Sequence, residues 1–503
     1  MNRLLILCFL IITFFINGSY ANEKKHYGAT KIIATIGPAS ESEENIHKLI
    51  KAGVNVFRFN TSHNTTDWHK KTIQKVRKES VALGMPVAIL VDLQGPRIRI
   101  GKFKEGKIML KEGDTIQFDL SEKEGDATRV CFPHPEVFKQ LRQGVRIFLH
   151  DGKVRLVVTS TNAKDTAKLK VLVGGQLSNH KGANIPDIVL PISAITERDK
   201  NVLVSVTPEK PDWVALSFVQ TAKDMTDLRT LIKKNGSDAR TIVKVETIPA
   251  VQSRALREIV KATDAVMVAR GDLSVEALPE NIVELQDRIM DATHKQRKPL
   301  IVATQMMTSM TNSPRPTNAE VMDVTYATRN FADCVMLSEE SAIGKYPVQA
   351  VTSMQTITNN AENILWREKN FFTRNLINNK TCCSKVQLFD AITNFANTGG
   401  INDIVVVRNR KDTSAKDYAN FIEQVSLAKP LANIVPVVAE NEQIRFNYLS
   451  LFRGIYLQKD AAQQKSGKAT CSNSATSVIF EGIASREVAR LYTSDYILLF
   501  CKR

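Results

Sequence analysis

Cysteine is scarce, with 7 in 503 residues. None falls in a metal-ligand spacing, which argues against a disulfide scaffold and against structural zinc. The adjacent Cys382 and Cys383 read as free thiols. Aromatic residues are only 7% of the chain and never interleave with basic ones as a stacking platform. Zinc-finger and RNA-recognition signatures are also missing, so nucleic acid is not an expected partner. Long apolar runs are missing too. The one that opens the chain, LLILCFLIITFFI, has 13 residues and is too short for a stable membrane span. There is no internal repeat and no low-complexity tract. What remains is a chain with 43% apolar residues, long enough for two or three globular domains. Its net charge of +16 is scattered among Glu and Asp. It reads first as solvated surface and second as attraction to phosphorylated ligands.

What the chain has in abundance is short β-branched runs. Eight of them, TKIIATIG (30–37), VNVFRFN (54–60), PVAILVDL (86–93), WVALSFVQ (213–220), TIVKVE (241–246), DAVMVARGD (264–272), PLIVATQ (299–305) and ADCVMLS (332–338), punctuate the first two thirds. Stretches of helical period such as SEENIHKLIKAG and AKDMTDLRTLIKKNG separate most of them. Alternating strands and helices imply right-handed parallel units, and eight imply a closed (β/α)8 TIM barrel. In such a barrel chemistry sits at the C-terminal strand ends, which here carry Arg58, Asn60, Asp92, Lys244, Glu246, Arg270, Asp272, Thr304 and Ser338.

Roughly 120 residues separate the third strand end from the fourth, where about 25 to 35 is the rule elsewhere. The excess alternates between short strands and Gly turns, so residues 95–184 read as an inserted β-barrel-like domain, placed to act as a lid. The barrel then comprises 22–94 and 185–362. Residues 363–503, with GINDIVVVR, KDYANFIEQVSLA and ANIVPVVA, read as a C-terminal α/β domain. Residues 1–21 read as a secretory signal peptide: Arg3, the short apolar core, then Ser19 and Ala21 at a cleavage site. Asn60-Thr61-Ser62 and Asn64-Thr65-Thr66 are glycosylation sequons on the catalytic rim, where a glycan would obstruct the site.

Strand parity groups the polar residues. Lys244 and Glu246 share one face, as do Arg58 and Asn60. Glu246 and Asp272, on neighbouring strands, offer hard oxygens to Mg²⁺ or Mn²⁺. Gly271 permits close backbone approach, leaving amides for a substrate carboxylate. KIIATIGPAS, VNVFRFNTSH, VDLQGPRIR, HKGANIPDIVLP, IVKVE, VMVARGDL, IVATQMM, SPRPTNAE and CVMLSEESAIGKYP occur in that order. Together they resemble pyruvate kinase, closely over 29–355 and more loosely beyond.

The resemblance implies Mg²⁺-dependent phosphoryl transfer from phosphoenolpyruvate to ADP, giving pyruvate and ATP, the last step of glycolysis. It implies metal ligation by Glu246 and Asp272, and a Lys244 that stabilises the transferring group. It implies phosphate binding by Arg58, and substrate contacts by Gly271, Asp272 and Thr304. Nucleotide contacts fall to Asn60, His63, Arg99 and Lys181, and the expected assembly is a homotetramer. Asn60, Ser62, Asp92 and Leu93 match the monovalent-cation region. Leu93-Gln94-Gly95-Pro96-Arg97 resembles the potassium-independent, bacterial-type branch, with Arg97 standing in for K⁺.

Some residues depart from the family. Ser274 replaces a glycine, Thr308 a glutamate and Glu339 a small residue. NDIVVVRNRKDTSA lacks the glycine of the family's effector-phosphate loop, and the C-terminal segment is rewritten. Two other readings therefore stand beside the first: a weakened paralogue serving as a binding or regulatory protein, and another metal-dependent phosphoenolpyruvate or enolate enzyme on a barrel. A secretory leader on such an enzyme fits a plastid of secondary origin, with secretion, or a cytoplasmic protein with a misassigned start, as alternatives.

Overall fold

The computed structural model describes residues 28–372 without a break. Beyond them it describes 392–393, 403–408, 414–427, 433–436, 447–453, 455, 477–480, 483–492 and 496–502. The signal-peptide reading of 1–21, the pair Cys382–Cys383 and residues 409–413 of the effector-loop segment lie outside the described residues.

Strands β1 (Lys31–Thr35), β2 (Val54–Asn60) and β3 (Ala88–Leu93) open the barrel. The chain then leaves it for eight short strands: β4 (Lys107–Leu110), β5 (Thr115–Asp119), β6 (Arg129–Cys131), β7 (Arg146–Leu149), β8 (Val154–Thr161), β9 (Thr166–Val173), β10 (Gly175–Ser178) and β11 (Ala183–Asn184). It returns with β12 (Trp213–Leu216), β13 (Arg240–Val245), β14 (Ala265–Ala269), β15 (Leu300–Ala303) and β16 (Cys334–Leu337). The eight barrel strands are all parallel and follow chain order, and β16 pairs with β1 to close the cylinder. The expected TIM barrel is therefore present.

Several expected strands ran too far. Those ending at Asp272, Gln305 and Gln220 stop at Ala269, Ala303 and Leu216. There the backbone turns out of the sheet. Thr304 and Gln305 take positive φ (66° and 56°), and Arg270–Glu276 forms a short helix. The polar strand-end residues leave the sheet to line the mouth.

The helices form because apolar residues recur on one face and good caps close their ends. Ser42 accepts from the Asn45 amide at the start of Glu43–Ala52, and Gly53 closes that helix at φ 114°. Thr196 and Asp199 form a capping box on Glu197–Val206, and Thr317 and Glu320 form another on Asn318–Arg329. Their buried faces and the outward-facing strand residues make one core around the barrel.

The inserted segment has its own core, centred on Phe118, Phe132, Phe138 and Leu156. Most of its strands form one six-stranded sheet, in the order β11-β7-β8-β9-β5-β6. The segment GPRIRIGKF (95–103), whose alternation suits a strand, forms none. Its bridges are Arg99↔Gly182, where the two stalks of the insertion run side by side, and Phe103↔Gly125 within the insertion.

The inside of the barrel is continuous with the C-terminal unit. Residues of the barrel lumen share one buried cluster with Ile404, Tyr418, Leu451 and Phe452, and Trp213 lies 6.2 Å from Phe452, ring to ring. Five C-terminal strands, β17 (Asp403–Arg408), β18 (Asn433–Pro436), β19 (Ser477–Phe480), β20 (Ile483–Tyr492) and β21 (Tyr496–Lys502), form one mixed sheet. Glu362 ties the junction: its carboxylate accepts from the Ala29 and Thr30 amides at 2.6 Å and from Arg453 at 3.0 Å.

Candidate active site at the barrel mouth

A continuous polar belt runs across the C-terminal strand ends. The Thr35 hydroxyl donates to the Leu337 carbonyl (2.9 Å) and accepts from Arg58 Nη1 (2.9 Å). Arg58 Nε donates to Asp92 Oδ2 (2.7 Å). The Asp92 Oδ1 atom lies 3.6 Å from Lys244 Nζ, which donates to Ser217 Oγ (2.7 Å). Ser217 donates in turn to the Leu93 carbonyl (2.7 Å). Glu246 completes the group: its Oε2 is 3.3 Å from Lys244, and its Oε1 accepts from the Phe218 amide (2.6 Å). The belt spans consecutive strand ends from β16 through β1, β2, β3 and β12 to β13.

All these groups are largely withdrawn from water, and Glu246 has no exposed surface. Burial pushes the Glu246 carboxyl up to about 7, with the Asp272 charge adding to burial and Lys244 opposing it. Burial also works against a charged Lys244. Asp92 and Glu246 outweigh it and hold the ammonium above its ordinary value.

Asp92 Oδ1 and Glu246 Oε2 are buried and accept no hydrogen bond. A buried carboxylate oxygen without a donor is costly unless a cation faces it. Lys244 does so for both, and Glu246 Oε2 suits a hard dication equally well. No set of three or more His, Cys, Asp or Glu converges as a metal cage among the described residues. A metal held by Glu246 and Asp272 would need ligands from elsewhere, as Mg²⁺ at phosphate sites usually does.

The neighbouring strand ends are tied separately. Thr304 Oγ1 donates to the Ala303 carbonyl (2.6 Å) and accepts from the Gly271 amide (2.7 Å). The Gly271 amide expected to be available is thus engaged, and a ligand carboxylate would compete with Thr304 for it. A Cβ at Gly271 would make only ordinary contact with Thr304, so packing alone does not demand glycine there. Arg270 points away, to Asp323 (2.6 Å) and the Thr304 carbonyl. Ser274 turns its hydroxyl back onto the Gly271 carbonyl (2.9 Å), while Thr308 and Glu339 are exposed.

The remaining expected residues lie around this belt. Asn60 is the register partner of Asp92, and its side-chain oxygen accepts from the Ser62 amide (3.2 Å). His63 is exposed beyond that turn. Gly95, at φ 68°, lets the chain turn against β12, where a Cβ would sit 3.0 Å from the Ser217 carbonyl. Two residues on, Arg97 is exposed and makes no ion pair among the described residues; with Asp272 it lines the cleft between barrel and insertion. Arg99 and Lys181 are brought together on the paired stalks. The Ile100 amide donates to the Lys181 carbonyl (3.0 Å), and Arg99 NH1 donates to the His180 carbonyl (2.7 Å).

Sequence reasoning missed Thr35, Ser217 and Glu276. Thr35 lies in KIIATIGPAS but nothing there marks it out from its neighbours, and Ser217 carried no motif signal. Glu276 follows Asp272 by one helical turn, which could have flagged it. Its buried carboxylate accepts from the Ile248 amide (2.9 Å), just beyond Glu246, and from the Asn184 side chain (3.1 Å) at the base of the insertion.

An Asp-Lys-Glu cluster with an adjoining arginine, at the mouth of a closed (β/α)8 barrel beneath an inserted β domain, defines an enzyme-type barrel built to hold an anion. Comparison with known proteins supplies the family. Residues 27–351 match the model described as pyruvate kinase, barrel domain. The pyruvate kinase of Methylorubrum extorquens is 42% identical over 333 residues, 66% of this chain and 68% of that one. Pyruvate kinase 2 of Synechocystis sp. is 41% identical over 66% of this chain and 56% of its own. A crystal structure of a pyruvate kinase from Cryptosporidium parvum matches with a TM-score of 0.76 at 28% identity, covering 87% and 88% of the two chains. The chain belongs to the pyruvate kinase family.

Burial pushes Glu276 up to about 7, with Asp272 adding to it, against the opposing Ile248 and Asn184 hydrogen bonds. An acid raised on folding costs nothing below its unfolded value, near 4.5, where both states are protonated. As pH rises the unfolded chain ionises first, so stability is lost up to and through the folded value. Glu276→Gln, with Asn184 free to flip its amide, should flatten that loss. Urea unfolding of the metal-free protein between about pH 5 and about pH 7.5 measures it, and parallel curves for wild type and variant would refute it.

Proposed function

We propose that the protein transfers the phosphoryl group of phosphoenolpyruvate to ADP in an Mg²⁺- or Mn²⁺-dependent reaction, serving the last step of glycolysis. The observation that carries this reading is Lys244, set between Asp92 and Glu246 at the mouth of a barrel of this family. Phosphoryl transfer asks a protein mainly for positioning and for positive charge around the moving group. Lys244 supplies a fixed cation whose charge is secured by two carboxylates, so little reorganisation is needed when negative charge arrives. Arg58, held by Asp92 and Thr35, is locked as a second anion-binding group. Glu246 and Asp272 would hold the dication, which would supply further neutralisation. Thr304 and Gly271 would position the enolpyruvate end, and Asn60, His63, Arg99 and Lys181 the nucleotide.

The intact cluster favours an active enzyme over a weakened paralogue, since Ser274, Thr308 and Glu339 make no contact with it among the described residues. For dissection of the chain we propose 22–94 with 185–362 as barrel, 95–184 as lid and 363–503 as C-terminal domain. Assembly as a homotetramer is carried over from the family alone.

A lactate dehydrogenase-coupled assay of residues 22–503 with phosphoenolpyruvate, ADP and Mg²⁺ tests the activity. Lys244→Met should lower turnover by about 10²–10³ or more while leaving the fold intact, and near-wild-type turnover would sink the role of Lys244. Glu246→Gln should steeply raise the Mg²⁺ needed for half-maximal rate. An unchanged titration counts against ligation.

The unpaired charge of Arg97 supports potassium independence. Turnover should be the same in KCl and in a tetramethylammonium salt of equal ionic strength, and Arg97→Glu with Leu93→Thr should create a potassium requirement. Many-fold activation of the unaltered enzyme by KCl would refute this.

The leader supports entry into the secretory pathway en route to an enclosed compartment such as a plastid of secondary origin. Residues 1–40 fused to a fluorescent reporter should label such an organelle in the native cell. Diffuse cytosolic fluorescence overturns the leader, and export to the medium overturns the plastid.

A further inference from the structure

The short helix Arg270–Glu276 begins at the barrel mouth with Gly271 and Asp272 and ends against the insertion. Glu276, its last residue, is buried and pairs with no cation among the described residues. Its Oε2 accepts from the Ile248 amide (2.9 Å), and its Oε1 accepts from the Asn184 side-chain amide (3.1 Å). Ile248 follows closely on Glu246 in the chain. Asn184 lies on β11, where it is the register partner of Phe148 on β7. The turn from β7 to β8 touches the same helix one residue earlier. A Cβ on Gly152 would sit 3.5 Å from the Val275 side chain and from the Val275 carbonyl oxygen. The insertion therefore rests on two successive residues of the helix that carries Asp272.

Sheet pairing alone does not fix the distance between the two carboxylates expected on the metal. The register of β13 and β14 ends at Val245↔Val268, short of both Glu246 and Asp272. Beyond that pair the two segments part, and Glu276 bridges them. Through Ile248 it holds the segment that follows Glu246, and through its own helix the one that carries Asp272. Burying a carboxyl without a cation is costly, and packing alone would favour an apolar residue. What the carboxyl supplies is two acceptors, one for each element it joins.

We propose that Glu276 is a positioning residue that holds Glu246 and Asp272 at the spacing a dication needs, a role that rests on the dication-dependent reading of the mouth. Asn184 makes that spacing depend on the seated insertion. Glu276 acts as a double acceptor, not as a metal ligand and not through its charge. Glutamine can then replace it. Its carbonyl accepts from the Ile248 amide, and its NH2 group donates to Asn184 once that side chain turns its amide over. Alanine cannot, and leaves the Ile248 amide without this acceptor.

Mn²⁺ binding to the full-length protein without substrates, read from the loss of the free-ion electron paramagnetic resonance signal, tests this apart from turnover. Glu276→Ala should weaken Mn²⁺ by about tenfold or more, the usual cost of losing a residue that orients a metal ligand. Glu276→Gln should restore binding close to that of the unaltered protein. Asn184→Ala, at a half-buried position at the base of the insertion, should weaken Mn²⁺ in the same direction and serves if Glu276→Ala misfolds. Combined with Glu276→Ala it should add nothing further, because both remove one contact. Unaltered affinity in either alanine variant, a glutamine variant as weak as Glu276→Ala, or additive losses in the double variant overturn the positioning role. If the unaltered protein binds no Mn²⁺, the dication reading of the mouth fails and the role falls with it. If it binds Mn²⁺ and the variants bind equally well, only the role falls.

Discussion

A buried ammonium can be kept only if its charge is answered, and the barrel mouth is organised around answering that of Lys244. Taking an ion out of water costs several kcal/mol. Asp92 and Glu246 repay that cost from two directions. Asp92 is itself held by Arg58, and Arg58 by Thr35, so removing any one member leaves another charge exposed to a low dielectric. Such a network is rigid for electrostatic reasons, and rigidity is what a site needs if it is to stabilise transient charge without reorganising.

Barrel closure makes this possible. Parallel strands in strict chain order place Thr35, Arg58 and Asp92 on neighbouring strands, with Lys244 one strand further on across β12 and the register bringing Asn60 opposite Asp92. The other end is sealed. Phe452 and Leu451 continue the lumen core into the C-terminal unit, and Glu362 gathers donors from the start of β1 and from Arg453. The sealed floor fixes strand positions, and the open mouth carries the chemistry.

The insertion is attached through the mouth itself. Its stalks carry Arg99 and Lys181, and its base is bonded through Asn184 to Glu276, on the helix that also carries Asp272. The base of the insertion is thus joined to the carboxylate pair through a single short helix.

Much of this was legible in the chain. Period-two and helical patterns set out eight strands and their helices, because burial of one face imposes those periods locally. The long gap after Leu93 announced the insertion, and parity put Lys244 with Glu246. Strand ends were less legible: the departure of Thr304 and Gln305 into positive φ, and the helical turn at Arg270, come from contacts with neighbouring strands and have no local pattern. The roles of Thr35, Ser217 and Glu276 went unread because they exist through partners distant in sequence: Ser217 with Lys244, Thr35 with Arg58, Glu276 with Asn184. The chain by itself determined which residues are strand, helix and charge, since those follow from propensity and pattern. Only the closed tertiary structure decided which charges face each other and which carbonyls are already taken, because those depend on distances that no sequence spacing encodes.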